Sequence, residues 1–167
     1  GMDHKEAGKL AGEDMIAVTG GNAHIGMIVS DTDDSAQRLR MEGFLSAINP
    51  HKNMIVEETF ESRSDRIRIR KLVSGMLQDN KRINAIFCAD QTAADMLGDI
   101  LQEEGYSKNN MKVVCFGMSR EIYKYLQDGT YTFSVMNDTV EMGYQAVKTL
   151  KDCINGKSGE KRIVYTE

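Results

Sequence analysis

Ala85-Ile-Phe-Cys-Ala-Asp-Gln-Thr-Ala-Ala-Asp-Met-Leu-Gly-Asp-Ile-Leu-Gln-Glu-Glu-Gly105 contains one complete structural unit. Ala85 to Cys88 is an apolar run of strand length. Ala93, Ala94, Met96, Leu97, Ile100 and Leu101 then recur on one helical face, and the stripe ends at Gly105. The unit reads as strand, polar loop, helix. The same alternation continues in both directions along the chain, and strict alternation of strand and helix is the signature of a parallel sheet with helices on both faces.

Toward the N-terminus, Asp3 with Glu6 marks a helix start. That helix is expected to turn Ala7, Leu10, Ala11 and Met15 inward and to stop at Gly20 and Gly21, where glycine relieves a left-handed backbone. Ala23 to Ser30 is a first strand. Met41, Phe44, Leu45 and Ile48 define a helix over Ser35 to Asn49, ended before Pro50. Met54 to Phe60 is a second strand, and Ser64 is the expected cap of a helix facing inward through Ile67 or Ile69, Leu72, Val73, Met76 and Leu77.

Toward the C-terminus, Met111 to Phe116 is a strand, Ile122, Tyr123 and Leu126 a short helix closed by Gly129, and Thr132 to Met136 a strand. Met142, Ala146, Val147, Leu150 and Ile154 form a last helical stripe before a strand-like piece, Arg162 to Tyr165. The 167 residues fit a single α/β domain. No apolar run is long enough to span a membrane, and Gly1 to Gly12 lack the build of a secretory signal. Gly1 before Met2 reads as a vector remnant, which leaves localisation open.

A net charge of −4 opposes binding to a polyanion, so no direct nucleic-acid contact is expected. The basic residues Arg63, Arg66, Arg68, Arg70 and Lys71 spread around a helix and read as a solvated face. Cys88 and Cys115 lie in apolar stretches and, with Cys153, make an odd number, so they are read as core residues and not as bridges.

In an open parallel sheet, chemistry gathers beyond the carboxyl ends of the strands. The loops there are Asp31 to Ser35, Glu61 to Ser64, Ala89 to Thr92, Gly117 to Ser119 and Asn137 to Thr139, with Arg38 one turn into the following helix. A dinucleotide site fails because Gly20, Gly21 and Gly26 lie at the wrong end of the first strand. A nucleophile elbow and a phosphate-cradling Gly-Lys-Ser/Thr are also missing. His4, His24 and His51 share no ligand spacing, so neither a metal nor a cofactor is expected from them.

The best enzymatic reading is a Mg²⁺-dependent phosphoryl-transfer or receiver-type site built from Asp31, Asp33 or Asp34 with Asp90. Against it, Asp33 or Asp34 can simply cap the next helix, and no lysine lies in the loops after Phe116 or Met136 to meet a phosphoryl group. What remains is Arg38, Asp90, Asn137, Ser64 and Ser119, acceptors and forked donors with no activated nucleophile. Such a set suits binding of a polyhydroxylated small molecule without turnover, with Arg38 as a surface residue and Asp90 as a helix cap the plain structural alternative.

The segments Asp3 to Gly12, Ala36 to Phe44, Asn84 to Asp90, Lys112 to Gly117 and Asn137 to Tyr144, in this order and at these separations, resemble the ribose-binding-protein and lactose-repressor superfamily, the type 1 periplasmic binding proteins. The resemblance implies one lobe of a clamp in which two α/β lobes close on a sugar, here the C-terminal lobe with the N-terminal lobe missing. It implies ligand contacts at Arg38, Asp90 and Asn137. At two positions the chain departs from the family: Gly117 stands where a sugar-binding Asp is usual, and Ser64 where some members stack an aromatic. These departures count against a ribose- or hexose-type ligand.

The resemblance also implies an organisation: a lobe core over 3–136, a segment 137–160 that relatives give to the other lobe, and a return strand over 161–167. The helix from Val140 to Ile154 would fold back on its own sheet or dock on a second copy in a homodimer. The whole would be either a transporter's receptor outside the cytoplasm or the effector-sensing part of a cytoplasmic transcription regulator.

Overall fold

A computed structural model describes residues 2–155. The order is α1 (His4–Thr19), β1 (Ala23–Val29), α2 (Ser35–Ile48), β2 (Met54–Glu61), α3 (Arg66–Asp79), β3 (Ala85–Cys88), α4 (Gln91–Glu103), β4 (Lys112–Phe116), α5 (Arg120–Gln127), β5 (Phe133–Val135) and α6 (Thr139–Ile154). Two compact units result: Asp3–Val135, which holds the sheet and α1 to α5, and a unit that carries α6. The expected return strand over 161–167, with Arg162 to Tyr165, lies outside the described residues.

The five strands form one sheet in the order β2-β1-β3-β4-β5, and every pairing is parallel. Parallel strands covered on both faces lose their polar side, which is why β3 is buried at all four residues. Ile86 and Cys88 face a core shared with Ile69, Val73, Leu97, Ile100, Ile122 and Tyr125 from α3, α4 and α5. Phe87 points the other way, tilted against Phe44 of α2 with ring centroids 4.1 Å apart and set edge-on, at 5.8 Å, to Phe116 of β4. Cys88 and Cys115 are buried register partners in that sheet, and burial pushes the Cys115 thiol up to about 12. Cys153 is exposed on α6.

α1 starts where expected, with Asp3 accepting the Lys5 and Glu6 N–H groups at 3.1 and 3.0 Å, and ends at Gly20 with φ 63°. Its inward face differs from the expectation. The buried residues are Gly8, Ala11, Gly12 and Met15, while Leu10 stays half exposed. The cause is the closeness of α1 to α2: a Cβ on Gly8 would sit 2.0 Å from the Arg40 carbonyl oxygen, and one on Gly43 would sit 1.9 Å from the Lys5 carbonyl oxygen. Only bare backbone fits between these helices.

The cap of α3 also differs. Asp65, not Ser64, accepts the Arg68 N–H, at 2.8 Å. Ser64 and Arg63 instead hold left-handed conformations, φ 52° and 53°. Of the two candidate inward isoleucines, Ile69 is buried and Ile67 is 85% exposed.

At the amino end of the sheet β2 carries a bulge. The register jumps from Ile25↔Val56 to Gly26↔Glu58, so Glu57 has no partner in β1. Its carboxylate pairs with His24 Nδ1 at 2.5 Å and with Arg82 at 3.1 Å. The hydrogen bond with His24 holds the Glu57 carboxyl below its ordinary value.

α6 is a separate matter. Asp138 caps it by accepting the Glu141 N–H at 2.8 Å, yet none of its residues is buried, and Val140, Val147, Leu150 and Ile154 are exposed.

Candidate binding site at the carboxyl edge of the sheet

Strand order reverses between β1 and β3, so the chain leaves these neighbours in opposite directions: β1 feeds α2 on one face and β3 feeds α4 on the other. The loops that follow therefore part at this edge, and such a reversal is the place where open parallel sheets bind small molecules. Ser30 and Asp31 follow β1 there, and Ala89 and Asp90 follow β3.

Asp90 is almost wholly buried. One oxygen accepts the Thr92 N–H at 3.0 Å, capping α4, and the Ser64 hydroxyl at 3.1 Å; the other accepts the Ser62 hydroxyl. Asp90 thus ties the end of β2 to the end of β3. A carboxylate has about four lone-pair sites. Three hydrogen bonds leave room for one more donor.

The left-handed backbone of Arg63 and Ser64 serves this arrangement. The Ser62 N–H donates to Val29 at 2.8 Å and the Arg63 N–H to Ser30 at 2.7 Å, which carries the chain past the end of β1 and brings Ser64 back to Asp90. Two consecutive non-glycine residues with positive φ persist only where the surroundings over-determine them, as at binding sites.

The arginine at this edge is Arg40, not Arg38. Arg40 Nη1 donates to the Ala89 carbonyl at 3.1 Å, beside Asp90, and its guanidinium lies 4.5 Å above the Phe116 ring. Gln37 Nε2 reaches the same carbonyl at 3.2 Å. Burial draws the Arg40 guanidinium below the usual arginine value, and the Asp34 carboxylate partly offsets this. Arg38 instead pairs with Glu42 at 3.0 Å on the half-exposed face of α2.

Helical phase explains the exchange. At about 100° per residue, Gln37, Arg40 and Phe44 share one face of α2 while Arg38 is turned about 200° from Arg40. Phe44 is buried on Phe87, so its face is the one that meets the sheet. The pairing of Phe44 with a basic residue four positions earlier was the available signal.

The remaining expected residues fall as follows. Gly117 ends β4 with φ 102°, its N–H donating to the Val135 carbonyl at 3.0 Å. The Ser119 hydroxyl caps α5 by accepting the Ile122 N–H at 3.0 Å and donates to Asp95 at 2.6 Å, so its bonds serve local structure. Asn137 lies in the other compact unit, just before the cap of α6. The aspartates of the phosphoryl-transfer alternative serve the start of α2: Asp34 accepts the Ala36 and Gln37 N–H groups at 2.7 and 3.2 Å, and Asp31 accepts the Asp33 N–H at 2.9 Å. Ser62, which reasoning from the sequence missed, carries no signal beyond sitting one residue past a strand.

The chain is similar to known proteins over most of its length. Residues 1–158 match a family model described as the periplasmic binding protein domain. The Ribose import binding protein RbsB of Escherichia coli (strain K12) is 24% identical over 156 residues, 93% of this chain and 51% of that protein. GanP, a glucose-galactose binding protein from Geobacillus stearothermophilus, superposes with a TM-score of 0.88 at 26% identity, over 96% of this chain and 57% of its own. A sugar-binding protein of a sugar ABC transporter from Bacillus halodurans, at 18% identity, shares the fold with a TM-score of 0.89, over 96% of this chain and 55% of its own. The chain thus spans about half the length of the curated relative it matches.

Proposed function

Because the chain belongs to the periplasmic binding protein domain family, we propose that it is one lobe of a sugar receptor serving an ABC transporter outside the cytoplasm. One observation carries the reading: a planar five-donor guanidinium, Arg40, is fixed over Phe116 beside the buried carboxylate of Asp90, at the reversal of the sheet. Sugar hydroxyls both donate and accept, so a donor fork next to an acceptor can hold two neighbouring hydroxyls at once. The apolar face of a pyranose or furanose ring suits a rim with aromatic carbon in it.

The names of the relatives support this reading, since they include a ribose import binding protein and a glucose-galactose binding protein. On it the site binds without a catalytic step, and the Ser62 and Ser64 hydroxyls serve to hold the Asp90 carboxylate in place. A second lobe, supplied by the rest of a longer protein, would complete the clamp.

The test is thermal unfolding of the full-length protein with D-ribose, D-arabinose, D-glucose and D-galactose. A ligand at a hundred times its Kd stabilises by about 2.7 kcal/mol, several degrees in Tm. At least one of these sugars is expected to do so. Stabilisation by none of them, with heat released on adding Mg²⁺ and a phosphoryl analogue, would favour the phosphoryl-transfer alternative and end the sugar reading.

A further inference from the structure

Gly117 leaves a space that another residue fills. A Cβ at this position would lie 2.9 Å from both Cδ and Oε1 of Gln91, and 3.1 Å from its Cγ. The amide of Gln91 therefore sits where any side chain at 117 would begin. Gln91 is the first residue of α4, directly after Asp90, and its side chain is exposed.

The same corner holds Arg40. Phe116, the residue before Gly117, carries the guanidinium on its ring, and Ala89, two residues before Gln91, accepts its hydrogen bond. Gln91 and Arg40 thus border the corner where β3 and β4 end. Resting on the sugar-receptor reading, we propose that Gln91 contacts the ligand and sets its specificity, its amide replacing a side chain at position 117.

The replacement changes the chemistry of the corner. A primary amide offers two donors and a carbonyl acceptor, without charge. It can donate to one hydroxyl and accept from its neighbour, whereas a carboxylate at 117 would only accept. The corner should therefore select by the relative positions of two hydroxyls and keep an uncharged wall. Gly117 is required twice over: its φ of 102° disfavours side chains, and the Gln91 amide needs the room.

Two measurements test this, and they fail separately from the sugar reading. The first is calorimetric titration of the full-length protein and its Gln91→Ala and Gln91→Glu variants with the four sugars named above. Gln91→Ala should weaken binding at least tenfold with the ligand-free Tm unchanged, and Gln91→Glu should alter the ranking of the sugars. Wild-type binding that both variants retain unaltered overturns the role of Gln91 and leaves the receptor reading standing. No binding by the wild type defeats that reading and the role together. The second measurement needs no ligand: the loss of Tm caused by Gly117→Ala should be smaller in the Gln91→Ala background than in the wild type. An equal loss in both would show that the amide does not occupy the space.

Discussion

Gly43→Ala is expected to lower Tm by about 4–10 °C, the overpacking loss less the helix-propensity gain, while Gly75→Ala raises it. Both substitutions put alanine for glycine inside a helix, and on helix propensity alone each should gain about 0.5–1 kcal/mol. Packing separates them. A Cβ at Gly43 would fall 1.9 Å from the Lys5 carbonyl oxygen and 2.8 Å from the Lys9 nitrogen, whereas one at Gly75 meets nothing within 4 Å. Backbone cannot rotate away as a side-chain tip can, so the upper part of the usual overpacking penalty applies, about 3 kcal/mol. In a chain of this size, each kcal/mol moves Tm by about 2–4 °C. Thermal melts of the two variants beside the wild type decide the matter. Equal rises in both would mean that α1 and α2 do not touch through their backbones. The contact also bears on binding, because the backbone of Arg40 is the surface that Gly8 meets.

Arg40→Ala should abolish measurable sugar binding, with a loss of a hundredfold or more, while Arg38→Ala leaves affinity within about a factor of two. A hydrogen bond to a charged group contributes about 1.5–3 kcal/mol, and a guanidinium placed to make two loses both on truncation. Tenfold in affinity corresponds to about 1.4 kcal/mol. Arg40→Lys should recover little of the loss, since an ammonium is a point donor that does not fork across two hydroxyls. Arg38 pairs with Glu42 on the half-exposed face of α2, where an ion pair contributes a few tenths of a kcal/mol. Calorimetric titration of the three variants with whichever sugar stabilises the wild type provides the comparison. A loss in Arg38→Ala with none in Arg40→Ala would reverse the assignment.

The two arginines show what the sequence discloses and what it withholds. Composition marks residues 38 and 40 alike as basic positions early in a helix beside a strand end. Only the phase set by Phe44 distinguishes them, and that phase follows from packing on Phe87. Strand and helix alternation was legible for the opposite reason: strands buried on both faces become short apolar runs, and helices between them keep a one-sided stripe. The position of Asp90 at this edge was legible because it lies two residues past an apolar strand and immediately before a helical stripe.

Elsewhere the signal was silent or ambiguous. The inward face of α1 was misread because glycine carries no hydrophobic signature, and Gly8 and Gly12 are the residues that make its closest contact. Ser64 and Asp65 are both good caps and adjacent in the chain. The choice between them was made by a distant residue, since the Asp90 carboxylate takes the Ser64 hydroxyl and leaves capping to Asp65. Gln91 gave no indication at all, because its placement depends on an absent side chain at Gly117.

The binding-lobe reading requires ligand at the carboxyl ends of β1, β3 and β4. Amide and arginine side-chain NMR of the isotope-labelled full-length protein, titrated with the sugar it recognises, reads this residue by residue. Shifts should concentrate at Ala89, Asp90, Gln91 and Gly117 and at the Arg40 side chain, leaving His24, Asn84 and Lys112 at the amino ends unmoved. Shifts gathered at those amino ends, with the Arg40 and Asp90 signals still, would contradict it.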